Sequence, residues 1–426
     1  MNRIDKRQVS RVPQDPDNVY LDLIITNLKS ASTPPIPINF NENRNSPVIS
    51  NTGNYNLSIV RFSLETQVLP VFIPVIKIFN DVGGYNSDPN LTIYSVTLEV
   101  LSATTGTTYI QQTFINWVPQ NSLTLVPSPP SQTSNNLQSD SSDYYFCQSF
   151  TWWTDIILQT MARCFNSLKL QIDNAGENSD DVCGIEPPLI QFNPDNQTCS
   201  LACPSEFFDT YDQTVRPAVL NPNAVKLFFN PPLFSLFSSF PSRKTRYEAL
   251  QGAVFQMLVT NFGGSNQISY PVTGSLTAVP PTAVLFTQVF QEYSTIQNWC
   301  PVSAIVFTTS TIPVIPNQLS SPLIFAEGNI LTNTSGNNSN FQLVLTDLES
   351  GELCYKPNLQ YSPTAEYRRI SMTGTSPLTN IQLSVFWRNK LGNLVPFYLG
   401  SGSSATVKFL FTKVMAIYGE KNSGDI

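Results

Sequence analysis

Residues Asn380–Phe411 read NIQLSVFWRNKLGNLVPFYLGSGSSATVKFLF, and this stretch decides the fold class. Ile381, Leu383, Val385 and Trp387 alternate with Gln382 and Ser384, the two-residue period of a strand. Leu391-Gly392-Asn393 turns the chain, Val395–Leu399 returns, and Gly400-Ser401-Gly402-Ser403 turns it again. Thr406–Phe411 then sets Val407, Phe409 and Phe411 against Thr406 and Lys408. Strands this closely spaced, with turns this short, indicate antiparallel sheets.

The pattern continues toward the N-terminus. In Val19–Thr26, residues Val19, Leu21, Leu23 and Ile25 share one face, with Tyr20, Asp22 and Thr26 on the other. Asn54–Leu64 follows, and Val71–Phe79 reads as a further strand whose Pro74 marks an edge or a bulge. Thr92–Leu101 and Tyr109–Trp117 read as a hairpin about Thr104-Thr105-Gly106. Val284–Phe290, Ser303–Thr309 and Phe341–Leu345 complete an all-β reading.

One segment breaks the period. In Ser149–Leu170, residues Trp153, Ile157, Met161, Cys164 and Leu168 recur at spacings of three and four, and Phe150, Ile156 and Phe165 widen that face. This is a core helix. Before it, residues 118–143 are rich in Pro, Ser, Gln and Asn and form an exposed loop or a connection between lobes. After it, residues 171–224 read as loop-rich. Val225–Phe229 is a short strand, and Pro231-Pro232 open one helical turn presenting Leu233, Phe234, Leu236 and Phe237. Tyr247–Thr260 fits a helix or a strand pair equally.

Composition narrows the function. The 426 residues include no histidine, so the usual general base and the usual metal ligand are absent. Ser-His-Asp and Cys-His nucleophile systems are therefore excluded within the chain. Neither a phosphate-binding P-loop nor a dinucleotide fingerprint occurs. The acidic group Glu177, Asp180 and Asp181 reads as solvated loop charge. No metal, no cofactor and no enzymatic activity is expected.

Charged residues make up 12% of the chain against 41% hydrophobic, and the net charge is −7. A sparsely charged surface costs less to desolvate and suits burial against other proteins. The acidic balance argues against specific nucleic-acid binding. The one basic stretch is the N-terminus, with Arg3, Lys6, Arg7 and Arg11 ahead of Pro13 and Pro16. Residues 1–18 are expected to be an extended arm, docking or frayed. Neither a signal peptide nor a membrane span is expected.

Of the seven cysteines, Cys199 and Cys203 form a C-x3-C pair with Cys183 upstream, and no ligand set for zinc completes it. Buried free thiols are the default reading, and a disulfide among those three the alternative. The N-x-[ST] triplets at Asn56, Asn90, Asn196, Asn333 and Asn337 need not be glycosylated.

The order of segments carries a resemblance. A basic, Pro-containing arm leads into NVYLDLIITN, then NYNLSIVRFSL, the helix, VKLFFNPPLFSLFSSF, and the C-terminal run that includes YSPTAEYRRISMTGTSP. This resembles the vertex (penton-type) and minor capsid proteins of small double-stranded DNA viruses of the adenovirus-like, adintovirus, polinton-like virus and virophage groups. The resemblance implies a virion protein with an antiparallel jelly-roll sandwich built from both ends of the chain around a large insertion.

On that basis residues 19–117 plus 301–418 are expected to form the jelly roll. Residues 118–300 would be the insertion, carrying helix 149–170. It further implies five copies at an icosahedral vertex, in contact with major and other minor capsid proteins. The interface candidates are Arg3, Lys6, Arg7 and Arg11 in the arm, and Phe228, Phe229, Phe234, Phe237 and Phe240 as packing or interface. Arg368 and Arg369 either pair with a neighbour's carboxylates or stay solvated. No R-G-D loop is present, although some penton relatives carry one. Two other readings stay open. One is a major capsid protein with two jelly rolls. The other is a carbohydrate-binding, adhesive β-protein using Trp152 and Trp153.

Overall fold

The structure is a computed structural model. It describes residues 15–28, 35–77, 88–120, 138, 142–208, 223–245, 254–260, 266–271, 283–315, 324–326, 329–331, 343–349, 358–361 and 369–414. The chain opens with β1 (Asn18–Thr26), β2 (Asn39–Asn43) and β3 (Tyr55–Glu65). Next come β4 (Leu91–Leu101), β5 (Thr108–Asn116), α1 (Phe150–Asn174), α2 (Ser179–Cys183), β6 (Leu189–Asn193) and β7 (Thr198–Pro204). Then follow β8 (Lys226–Phe229), α3 (Pro231–Leu236), β9 (Ser242–Lys244), β10 (Phe255–Met257), β11 (Gln267–Pro271), β12 (Ala283–Phe290) and α4 (Ile296–Trp299). The last strands are β13 (Val302–Thr309), β14 (Leu343–Glu349), β15 (Asn358–Tyr361), β16 (Ile370–Ser371), β17 (Asn380–Asn389), β18 (Leu394–Pro396) and β19 (Ser404–Lys413).

Two units result: Met1–Leu69 with Val302–Ile426, and Pro70–Pro301. In the first, one sheet runs β1-β19-β3-β15, with β16 also on β3. The other runs β2-β17-β13-β14, with β18 continuing the line of β2 along β17. Counting β15 and β16 as one, and leaving out β18 and the short strands Ile36–Pro37, Ile324–Ala326, Asn329–Leu331 and Tyr398–Leu399, eight strands remain among the described residues. Their orders are first-eighth-third-sixth and second-seventh-fourth-fifth. That is the double Greek key of a jelly roll. The second unit is the connection between the third and fourth strands.

The register explains the core. β1 pairs with β19 through nine unbroken positions, from Asn18↔Thr412 to Thr26↔Ser404. On β19, Ala405, Val407, Phe409 and Phe411 are buried while Tyr20 and Ile24 on β1 are exposed. Ile305 and Phe307 pair with Trp387 and Val385 and share one face. Phe307 meets Phe62 of the opposite sheet at 5.0 Å between ring centroids. The inner faces of both sheets thus interdigitate, burying apolar area at about 25 cal/mol per Å².

The outer face of the second sheet is buried as well. Ala304, Val306, Phe386 and Leu394 cluster there. Gln382 and Ser384, on the same face, are each 6% exposed. Gln382 accepts from the Ser310 amide at 2.7 Å and donates to Asn39 Oδ1 at 3.2 Å, which satisfies its buried amide.

The second unit holds two sheets, β9-β10-β8-β4-β5 and β11-β12-β7-β6. Helix α1 packs on β4, β5 and β6. It begins where expected because the Ser149 side chain accepts from the Trp152 amide, and it buries Trp153, Ile157, Met161, Cys164 and Leu168. Trp153 sits at 4.4 Å from Phe72, 5.5 Å from Tyr94 and 6.4 Å from Trp117.

The structure corrects three expectations. The boundary expected at 117/118 falls between Leu69 and Pro70. Strand β4 pairs with both β5 and β8, so Leu91–Asn116 belong to the inserted unit. Val71–Lys77 is not a strand. Pro70 and Pro74 lack an N–H for a ladder, and only the single bridges Phe72↔Cys147 and Ile76↔Thr92 form. Within the loop-rich residues 171–224 the structure adds α2 and the β6–β7 hairpin. Cys300 is disulfide-bonded, whereas Cys147, Cys164, Cys183, Cys199 and Cys203 are free and buried. Cys354, Asn333, Asn337, Tyr247, most of the 118–143 loop and residues 1–14 of the arm lie outside the described residues.

Candidate assembly surfaces

The expected interface residues separate into three groups. Arg3, Lys6, Arg7, Arg11 and Arg368 lie outside the described residues. Arg369 is exposed just before β16. Phe228, Phe229, Phe237 and Phe240 are between 0% and 4% exposed, so they are core of the second unit and not surface. The cause is that β8 is an interior strand buried on both faces, with Leu227, Phe228 and Phe229 all covered, and that α3 turns back after it. Phe237 lies 5.9 Å from Phe229 and 5.1 Å from Trp299. Phe234 alone is half-buried, stacked on Phe255 at 3.9 Å.

The tryptophan pair does not make a sugar platform. Trp153 is fully buried. Trp152 is half-buried, and its indole N–H donates to the Val118 carbonyl at 3.0 Å. Adjacent helical residues point about 100° apart, so the two rings cannot share a flat face.

Near the N-terminus the chain is tied down. The Asp15 carboxylate accepts from the Ser50 hydroxyl at 2.7 Å and amide at 3.1 Å. Tyr55 OH donates to the Pro16 carbonyl at 2.7 Å, and the Lys413 amide donates to the Asp17 carbonyl at 2.8 Å. Along β1, Asp22 lies 3.2 Å from Lys408 and 3.9 Å from Arg61. Exposed pairs of this kind contribute about 0–1 kcal/mol.

In the second unit the acidic group is more organised than solvated loop charge. Glu177 accepts from Ser102 Oγ at 2.5 Å, Tyr109 OH at 2.5 Å and Thr105 Oγ1 at 2.8 Å. The hydrogen bonds from Ser102 and Tyr109 hold its carboxyl below the ordinary glutamate value. The same bond raises the Tyr109 phenol. Asp180 pairs with Lys169 and, with Asp181, opens α2. Among the described residues no group of three or more potential metal ligands converges. No described helix is long and apolar enough to cross a membrane.

A jelly roll with a large inserted unit is an architecture that viral capsid domains share with lectins and cupins. The comparisons make this specific. The family model described as Sputnik minor capsid protein V18/19 matches residues 19–413, and the chain belongs to that family.

Two Sputnik virophage proteins are similar in sequence. Protein V18 is 28% identical over 159 residues, 37% of this chain and 89% of V18. Structural protein V19 is 24% identical over 204 residues, 48% of this chain and 85% of V19. Two solved structures are similar in fold. A chain of the Sputnik virophage cryo-EM structure has a TM-score of 0.68 and 25% identity, covering 93% of this chain and 98% of that one. The mavirus penton protein has a TM-score of 0.54 and 15% identity, covering 94% of this chain and 100% of that one. The chain is a structural protein of a virion, not an enzyme.

Proposed function

We propose that the protein forms the vertex capsomer of an icosahedral capsid, as a ring of five copies in contact with major capsid proteins and other minor capsid proteins. The observation that carries this reading is the whole-chain likeness to the mavirus penton protein, which spans both units. The strand orders support it over a major capsid subunit. Only the first unit has jelly-roll order among the described residues, whereas two jelly rolls would be needed for the alternative. In this reading residues 1–18 act as an interlocking arm, and the bonds at Asp15, Pro16 and Asp17 fix where it leaves the barrel.

A head-to-tail contact repeated by rotation closes a ring. The test is mass photometry and negative-stain imaging of the purified full chain. Particles of five 47.3 kDa copies with fivefold averages are expected. Threefold particles favour the major capsid reading, and a monomer at all concentrations removes both.

A further inference from the structure

In the second unit the five-stranded sheet has a basic edge strand, and an acidic rim is tied to its β4–β5 hairpin turn. At one edge is β9, where Arg243 and Lys244 are both exposed and have no ion-pair partner among the described residues. With Arg246 the segment Pro241–Tyr247 holds three cations and no acid, in a chain of net charge −7. Beside it lies the half-buried Phe234–Phe255 stack, with Phe255 directly opposite Lys244. The far side of β9 has no strand partner among the described residues.

The acidic rim lies at the C-terminal end of α1 and in α2. Between Lys169 and Cys183 stand Asp173, Glu177, Asp180 and Asp181 against the single Lys169. Asp173 and Asp181 are exposed. The Glu177 hydrogen bonds to Ser102, Thr105 and Tyr109 fix this acidic rim to the β4–β5 hairpin.

We propose that the basic edge at Arg243 and Lys244 docks against the acidic rim at Asp173 and Asp181 of a second copy of this chain. Different patches meeting in this way make a heterologous contact, the kind that closes a ring. This rests on the self-association proposed above and names the surfaces for it. Such charges steer encounter and fix register, while the Phe234–Phe255 stack contributes apolar area. Each chain would use its basic edge on one neighbour and its acidic rim on the other.

The test is charge reversal in the full chain, with oligomer distribution read by mass photometry at low salt. Arg243→Glu with Lys244→Glu should weaken self-association at least about tenfold. Combining it with Asp173→Lys and Asp181→Lys should restore assembly. The wild-type oligomer should also weaken as salt shortens the screening length. Should the rim variant melt early by circular dichroism, the basic-edge variant decides alone, since both its side chains are exposed. A wild-type oligomer unmoved by the basic-edge reversal overturns this docking and leaves the capsomer reading intact. A wild-type chain that never associates removes both. Retention of single-stranded DNA that the same reversal abolishes, with assembly intact, assigns the edge to nucleic acid and also overturns the docking.

Discussion

Asn230 and Ser95 stand 135 positions apart and are joined by a hydrogen bond: the Ser95 amide donates to Asn230 Oδ1 at 3.0 Å. The same oxygen accepts from the Leu233 amide at 3.2 Å and caps α3. Asn230 Nδ2 donates to the Ile93 carbonyl at 2.7 Å. One 7% exposed side chain therefore satisfies two donors and one acceptor between β4 and α3. Asn230→Ala should destabilise the protein by about 2–3 kcal/mol, because it removes a cap and strands buried polar groups. Asn230→Asp should lose part of that, since it keeps the acceptor but not the donor. Urea unfolding followed by tryptophan fluorescence measures both; equal stability of wild type and Asn230→Ala would refute the role.

The two adjacent tryptophans should behave differently. Trp153→Ala empties the aromatic cluster with Phe72, Tyr94 and Trp117 and should cost about 3–5 kcal/mol. Trp152→Ala loses one half-exposed ring and its bond to Val118, about 1 kcal/mol. Thermal unfolding of each variant checks the order. Equal losses would show that burial does not separate the pair.

Glu177 should respond to acid. Its folded-state pKa lies below the ordinary 4.5, so its contribution is complete above that value and disappears as pH falls through the lowered one. Tyr109 has the opposite sign. Its pKa is raised above 10.0, so its contribution is complete below 10.0 and disappears as pH rises through the raised value. Ser102 Oγ accepts from the Thr104 and Thr105 amides while donating to Glu177, so the carboxylate orients the turn. Hydrogen exchange of the Thr104 and Thr105 amides, corrected for intrinsic pH dependence, should accelerate on acidification. In Glu177→Gln it should be at least about tenfold faster already at neutral pH. Unchanged exchange in that variant would argue that the hydroxyls hold the turn without the carboxylate.

The free thiols should be inert. Burial pushes Cys147 and Cys183 up to about 12 and Cys164 up to about 11, and raises Cys199 and Cys203 as well. The thiolate is the reactive form, so native protein at mildly alkaline pH should leave these five unlabelled by iodoacetamide. Mass mapping after labelling with and without denaturant tests this. Rapid native labelling of any one of the five would place it at the surface.

Much of the site and fold was readable before any coordinates. The helix start at Ser149, the buried face of α1, the β4–β5 hairpin and the alternation of β1 and β19 all follow from period and capping. The phenylalanines after Val225 were not readable as core or contact, because both environments select the same apolar side chains. Gln382 and Ser384 read as a solvent face and are buried, because what covers a sheet comes from distant sequence. Glu177 sat among loop-forming residues, and its three hydroxyl partners lie 68 to 75 positions away.

The sequence alone determined that the chain is antiparallel β-structure with one amphipathic helix and no histidine chemistry. Period and composition are local properties, and a strand's two faces are written into every second residue. Only the tertiary structure decided which strand lies beside which. It placed Thr92–Leu101 in the inserted unit and not in the jelly roll. It also brought Asn18 opposite Thr412, and it tied the acidic rim at Glu177 to the hairpin of the sheet whose edge strand carries Arg243 and Lys244. The physical reason is that pairing depends on the summed packing and hydrogen bonding of whole strands far apart in the chain. No single strand carries the identity of its neighbour.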